Sequence, residues 1–180
     1  MRELFGITLL VNSSTNATLL AIKLKNNMTQ ETQHIETFKA KAEGRGWPTK
    51  VSITDTEWIL QMDEPTEDGG SNSGANPMQY FIASVAGCQN EQAQVVAEEL
   101  SLTISAIDIN LEIDLDLAGF MGSTEHSDGA YKELRLQAVV HGNITKEQVQ
   151  ELGARVDKRC PILALIRASG CSIRSSWNLA

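Results

Sequence analysis

Basic residues are too few and too scattered in this 180-residue chain to form a nucleic-acid surface. Lys and Arg number 15 against 23 Asp and Glu, for a net charge of -8, and no basic run exists to neutralise phosphates. Long apolar runs are missing too: none approaches the ~20 residues of a membrane helix. Cysteine is scarce. Cys88, Cys160 and Cys171 cannot all pair within one chain and form no CxxC, which argues against a secreted disulfide scaffold. His34, His126 and His141 are scattered, and Cys160 and Cys171 lack zinc-type spacing, so neither a metal nor another cofactor is expected. No internal repeat or low-complexity tract is present. These exclusions leave a cytoplasmic globular protein with no nucleic-acid or membrane partner. Its 42% hydrophobic and 21% charged residues suit that class, and its length suits one domain with a real core.

Residues 76–100, NPMQYFIASVAGCQNEQAQVVAEEL, organise the chain. Asn76 suits an N-cap and Pro77 the first helical position, where its missing N–H would be unpaired anyway. No later proline interrupts the run, which predicts a helix of about 24 residues. The first half is apolar nearly all round (Met78, Tyr80, Phe81, Ile82, Val85), which predicts burial; the second half is amphipathic. Cys88 falls where the two regimes meet, a sheltered thiol on a central helix.

Residues 1–33 read as an arm of uncertain order with Met28 as a possible alternative start, and 34–180 as a single domain. From Ile35 three short runs separated by turns predict an antiparallel meander: Ile35 to Ala42, Val51 and Ile53, then Trp58 to Met62. The loop DEPTEDGGSNSGA over 63–75 is either functional or a solvated connector. After the helix, Ile107, Ile109, Leu111, Ile113 and Leu115 alternate with Asp108, Asn110, Glu112, Asp114 and Asp116. That is a long strand with one dry and one acidic face. A turn region over 119–129 leads to a partner strand, Tyr131 to His141. Thr145 and Gln148 form a capping box before a helix ending at Lys158 and Arg159; Pro161 starts a short helix, and a strand from Cys171 to Trp177 closes the chain. The expected fold is α+β, with helices against antiparallel sheet.

On local physics Cys160 is the better thiolate. Placed before Pro161 it can cap a helix whose free N–H groups favour an anion, whereas Cys88 lies far from any helix end. Cys171 reads as a buried small residue.

The segment MDEPTEDGGSNSGANPMQYFIASVAGC, followed about 70 residues on by RCPI, resembles the OsmC/Ohr family of thiol-dependent hydroperoxide reductases. The likeness spans roughly residues 35–180. It implies an α+β intertwined homodimer without cofactors, acting on a hydroperoxide and restored by a dithiol reductant. The resemblance makes Cys88 the attacking thiol and Cys160 the resolving one, joined as a disulfide after a sulfenic acid forms. Phe81, Ile82 and Val85 would then line an apolar substrate pocket. The family places an arginine from the N-terminal sheet near the thiol and a glutamate just after the Asn-Pro pair. Here Met78 and Gln79 follow Asn76-Pro77, so that carboxylate is missing. Arg45 is the candidate arginine, with Lys41 and Lys50 as other cations, and Glu64 replaces the carboxylate if its loop folds over the helix. The alternative is a non-catalytic OsmC-like dimer that binds a small molecule or responds to redox state.

Overall fold

A computed structural model describes residues 35–122 and 130–180. The expected arm over 1–33 and most of the 119–129 turn therefore lie outside the described residues. The compact unit that carries the thiols spans Phe38–Ala180. Two three-stranded sheets frame one central helix.

The first sheet is the predicted meander: β1 (Ala40–Glu43), β2 (Thr49–Ile53) and β3 (Ile59–Met62), antiparallel throughout. Its first strand is shorter than the sequence suggests, because Phe38 stands 83% exposed and outside any ladder. The loop after β3 hands the chain to α1 (Pro77–Glu99), whose start follows the expected rule. Asn76 Oδ1 accepts from Gln79 N–H at 2.9 Å, Gln79 Oε1 accepts from Asn76 N–H at 2.9 Å, and Pro77 is the first helical residue.

β4 (Ile104–Leu115) and β5 (Tyr131–Gly142) form the long antiparallel hairpin, joined through a single helical turn, α2 (Leu117–Phe120). Inward-facing Leu134, Leu136, Ala138 and Val140 of β5 are fully buried. The acidic row of β4 is not merely solvated. Arg135 of β5 crosses to Glu112 (2.9 Å) and Asp114 (2.6 Å) and also meets Glu133 (2.9 Å) on its own strand.

α3 (Lys146–Arg159) begins at the expected Thr145–Gln148 capping box, and α4 (Pro161–Ala168) follows after one residue. β6 (Ser172–Leu179) then pairs with β5 in parallel. The second sheet is therefore mixed, a departure from the all-antiparallel expectation. The two helices between β5 and β6 explain it: a helical crossover returns the chain to the same end of the sheet, which a tight turn cannot do. Val85, Ala93, Val96 and Ala97 of α1 meet Val149, Leu152 and Val156 of α3 and the inner face of the sheet in one core.

The first half of α1 departs from the prediction of burial. Val85 is enclosed, but Phe81 and Ile82 are half-buried, and Ala83, Ser84 and Gly87 are exposed. The described residues alone leave this surface uncovered.

Candidate functional site: a thiol pair at the junction of three helices

Two of the predicted site residues come together. The Cys88 and Cys160 sulfurs lie 3.0 Å apart in a thiol–thiol hydrogen bond, although 72 residues separate them in the chain. Cys88 is half-buried on α1, while Cys160 is wholly enclosed at the α3–α4 junction. Cys160 is the C-cap of α3 and the N-cap of α4, and its Sγ accepts from Leu163 N–H at 3.5 Å. The capping role read from Cys160-Pro161 is thus present. The neighbouring Ile162 N–H favours the anion at Cys88, so the first turn of α4 acts on both sulfurs.

That donor is outweighed at Cys88. Burial first, then the adjacent Cys160 and the Glu91 carboxylate three residues along the helix, together push its thiol up to about 12 against the opposing Ile162 N–H. The charged side chain acting on this sulfur is therefore an anion, the wrong sign for a thiolate. Cys171, at the start of β6, is buried and its thiol is likewise raised by desolvation.

Arg45 and Glu64 do not join the thiols. Arg45 lies exposed in the turn between β1 and β2 and makes no hydrogen bond or ion pair among the described residues. Glu64 reaches the N-cap of the helix, where its carboxylate accepts from Asn76 Nδ2 at 3.3 Å. That contact holds it at the start of α1, eleven residues before Cys88, or about 16 Å along the axis. Lys41 is engaged by Glu43 at 2.6 Å. Of the expected pocket residues, Val85 is in the core, and Phe81 stacks on Tyr131 with ring centroids 5.1 Å apart.

The loop over 63–75 resolves in favour of built structure. Asp63, 1% exposed, accepts five hydrogen bonds: from Glu64 N–H (2.9 Å), from Ser71 N–H and Oγ (3.1 and 2.6 Å), and from Ser73 N–H and Oγ (2.9 and 2.7 Å). These donors hold its carboxyl well below the usual carboxylate range. Tyr80 Oη donates to Gln61 O at 3.2 Å, tying α1 to β3 beside the loop. Sequence reasoning missed Gln89, whose carboxamide is fully buried with neither Nε2 nor Oε1 hydrogen-bonded among the described residues. The signal was available: Gln89 stands four residues after Val85 and four before Ala93, on the stripe that faces the core.

Fold and site together define a paired-cysteine α+β protein, with one sulfur reachable and the other enclosed. The chain belongs to the OsmC family, described as OsmC-like protein, whose pattern residues 70–176 match. It is 29% identical over 112 residues to a hydroperoxide reductase of Mycoplasma genitalium, covering 61% of this chain and 72% of that one. Among solved structures it resembles an organic hydroperoxide resistance protein OsmC of Legionella pneumophila, with a TM-score of 0.64, 23% identity, and coverage of 82% of this chain and 99% of that one. An OsmC-like protein of Mycoplasma pneumoniae shares the fold with a TM-score of 0.67 at 14% identity, over 82% and 100% of the two chains. No helix among the described residues is long and apolar enough to cross a membrane.

Proposed function

We propose that this protein is a two-cysteine peroxidase acting on organic hydroperoxides and working as a homodimer in the cytoplasm. The observation that carries the reading is the 3.0 Å contact between Cys88 and Cys160; the hydroperoxide reductase name of the Mycoplasma genitalium relative supports it. The Cys88 thiolate attacks the outer peroxide oxygen, the O–O bond breaks, and an alcohol leaves. Cys160 then attacks the Cys88 sulfenic acid to give a disulfide and water, which guards against over-oxidation. A dithiol restores both thiols. Apolar surface supports the dimer: Trp58 and Ile59 on the meander, Phe120 and Met121 after β4, and the exposed Ala83 on α1 would be covered by a second copy.

The test is peroxide-dependent thiol loss in wild type, Cys88→Ser and Cys160→Ser, using cumene hydroperoxide and hydrogen peroxide in parallel. The expected result is rapid loss of two thiols in wild type, a trappable sulfenic acid in Cys160→Ser, and no rapid reaction in Cys88→Ser. Reaction of all three at the rate of a free cysteine would sink the peroxidase and leave the ligand-binding or redox-regulatory dimer.

Within one chain the Cys88 environment favours the neutral thiol, so the activating cation must be brought in. Arg45, exposed and without a hydrogen bond or ion pair among the described residues, supplies it from a second copy, and Glu64 steadies that approach. Because burial disfavours the anion, removing the cation must move the thiolate to higher pH. Arg45→Ala is therefore expected to slow alkylation of Cys88 by iodoacetamide at least tenfold at pH 7. Its rate should keep rising about tenfold per pH unit beyond pH 9, where a free cysteine levels off. Superimposable wild-type and variant profiles would remove Arg45 from the site.

A further inference from the structure

The open flank of Cys88 is set by α1 itself. Exposed residues fall at Ser84, Gly87, Glu91, Gln94 and Glu98, a stripe of helical spacing, and the half-buried Cys88 lies along its edge. A reactant reaches the sulfur over this stripe, because the opposite face of the helix, with Val85, Gln89 and Ala93, is in the core. Gly87 keeps the lane open: a Cβ there would meet nothing within 4 Å. Within one turn of Cys88 in either direction, the helix carries a single charged side chain, Glu91. Residues three apart on a helix are neighbours, with Cβ atoms about 5–6 Å apart, and the Glu91 charge acts on the Cys88 sulfur. Glu91 is exposed and makes no side-chain hydrogen bond or ion pair among the described residues. Arg159, the basic residue beside Cys160, is committed elsewhere, to Glu99 at 2.7 Å near the far end of α1.

We propose that Glu91 is a specificity-determining residue at Cys88, favouring uncharged organic hydroperoxides over those that carry a carboxylate. This deepens the peroxidase reading above and rests on it. An anionic reactant crossing the stripe meets the Glu91 carboxylate on its way to the sulfur, and like charges repel. A cation brought by a second copy does not remove the effect. It is matched by the thiolate that it stabilises, which leaves the Glu91 charge in excess. Two like charges about 6–8 Å apart, in a setting between protein surface and water, change an encounter rate by about fivefold. The effect fades as salt shortens the range of the field. An uncharged hydroperoxide meets no such barrier, and its apolar body suits Phe81 and Ile82, half-buried within two turns of Cys88.

The experiment compares two pairs of reagents, each pair alike in shape and different in charge. Cumene hydroperoxide is set against its para-carboxylate, and iodoacetamide against iodoacetate, with modification of Cys88 read by mass. Both members of a pair sample the same thiolate fraction, so any change in the acidity of Cys88 cancels in the ratio of their rates. At low salt the preference for the neutral member should fall about fivefold in Glu91→Gln and further in Glu91→Lys, in both pairs. In 1 M salt the difference between wild type and Glu91→Gln should vanish. Glu98→Gln removes a charge ten residues from Cys88, about 15 Å along the axis, and should keep the wild-type ratios. Unchanged ratios in both Glu91 variants would overturn the proposal. So would an equal shift in Glu98→Gln, which would make net charge the cause. If wild type shows the expected alkylation ratios but reacts rapidly with neither hydroperoxide, the peroxidase reading is lost, and the choice of hydroperoxide with it.

Discussion

Gly153→Ala is expected to lower the stability of the chain by about 3 kcal/mol, a fall in Tm of about 6–12 °C. Helix propensity alone predicts the opposite, since alanine is favoured over glycine by about 1 kcal/mol inside a helix. Packing reverses the sign. Gly153 is buried in the middle of α3, and a Cβ there would come within 2.3 Å of the Trp177 ring. Carbon atoms pack well at about 3.5–4.0 Å. The indole cannot simply tilt away, because it is 4% exposed and its Nε1 donates to Asp157 Oδ1 at 3.3 Å, one turn further along the same helix. Thermal unfolding of Gly153→Ala, Trp177→Val and the double variant checks this. The double variant should be more stable than the sum of the two single losses predicts, by 1 kcal/mol or more. Strict additivity would show that the close approach is not what requires glycine.

Removing the Asp63 carboxylate should be nearly as damaging, and in a pH-dependent way. Asp63→Asn exchanges an acceptor of five hydrogen bonds for a group with one acceptor oxygen and two donor hydrogens, which face the N–H and O–H groups of Ser71 and Ser73. A fall in Tm of about 5–10 °C at pH 7 is expected. The alternative of the chain relaxing around the new side chain is limited by Gly70 and Gly74. A Cβ at these positions would lie 2.0 Å from Glu64 O and 2.2 Å from Gln61 O, so the loop has already closed to the limit of contact. Because the folded carboxyl is held below its ordinary value of about 3.9, its contribution is fully present above that value. It is lost progressively as pH falls from that value to the lowered one. The gap in Tm between wild type and Asp63→Asn should therefore be constant from pH 7 to pH 5 and narrow steadily below pH 4. A gap that does not change down to pH 2 would mean that the charge is not what the loop holds.

Features set by neighbours in sequence were legible in advance. Asn76 and Pro77 fixed the start of α1, and the alternation from Ile107 to Leu115 marked a strand. Thr145 with Gln148 began α3, and Cys160 before Pro161 was placed as a cap. Each depends on backbone groups within four residues or on a period of two. What escaped depends on distant partners. The contact of Cys88 with Cys160 spans 72 residues and entered the sequence reading only through family resemblance. The parallel pairing of β6 follows from how two helices cross over, and β6 carries no local mark of its direction. Local physics ranked Cys160 as the better anion site, and its cap geometry agrees. The reversal in favour of Cys88 came from resemblance, and within one chain the surroundings of Cys88 still oppose it.

In the proposed peroxidase cycle, the unequal burial of the two sulfurs would give the recovery half a direction. Once Cys88 and Cys160 are joined, an incoming reductant thiolate must approach one sulfur in line with the S–S bond. The Cys160 side of that line runs through the core, where the residue is 0% exposed, whereas Cys88 keeps an open flank. On that reading the reductant would be captured on Cys88, and Cys160 would be released as the departing thiolate into the Leu163 N–H that already caps it. A monothiol that reaches Cys88 but brings no second sulfur would stay attached there, with Cys160 poised to expel it and re-form the disulfide. Two sulfurs on one flexible carrier would escape that loop, in keeping with the proposed dithiol reductant.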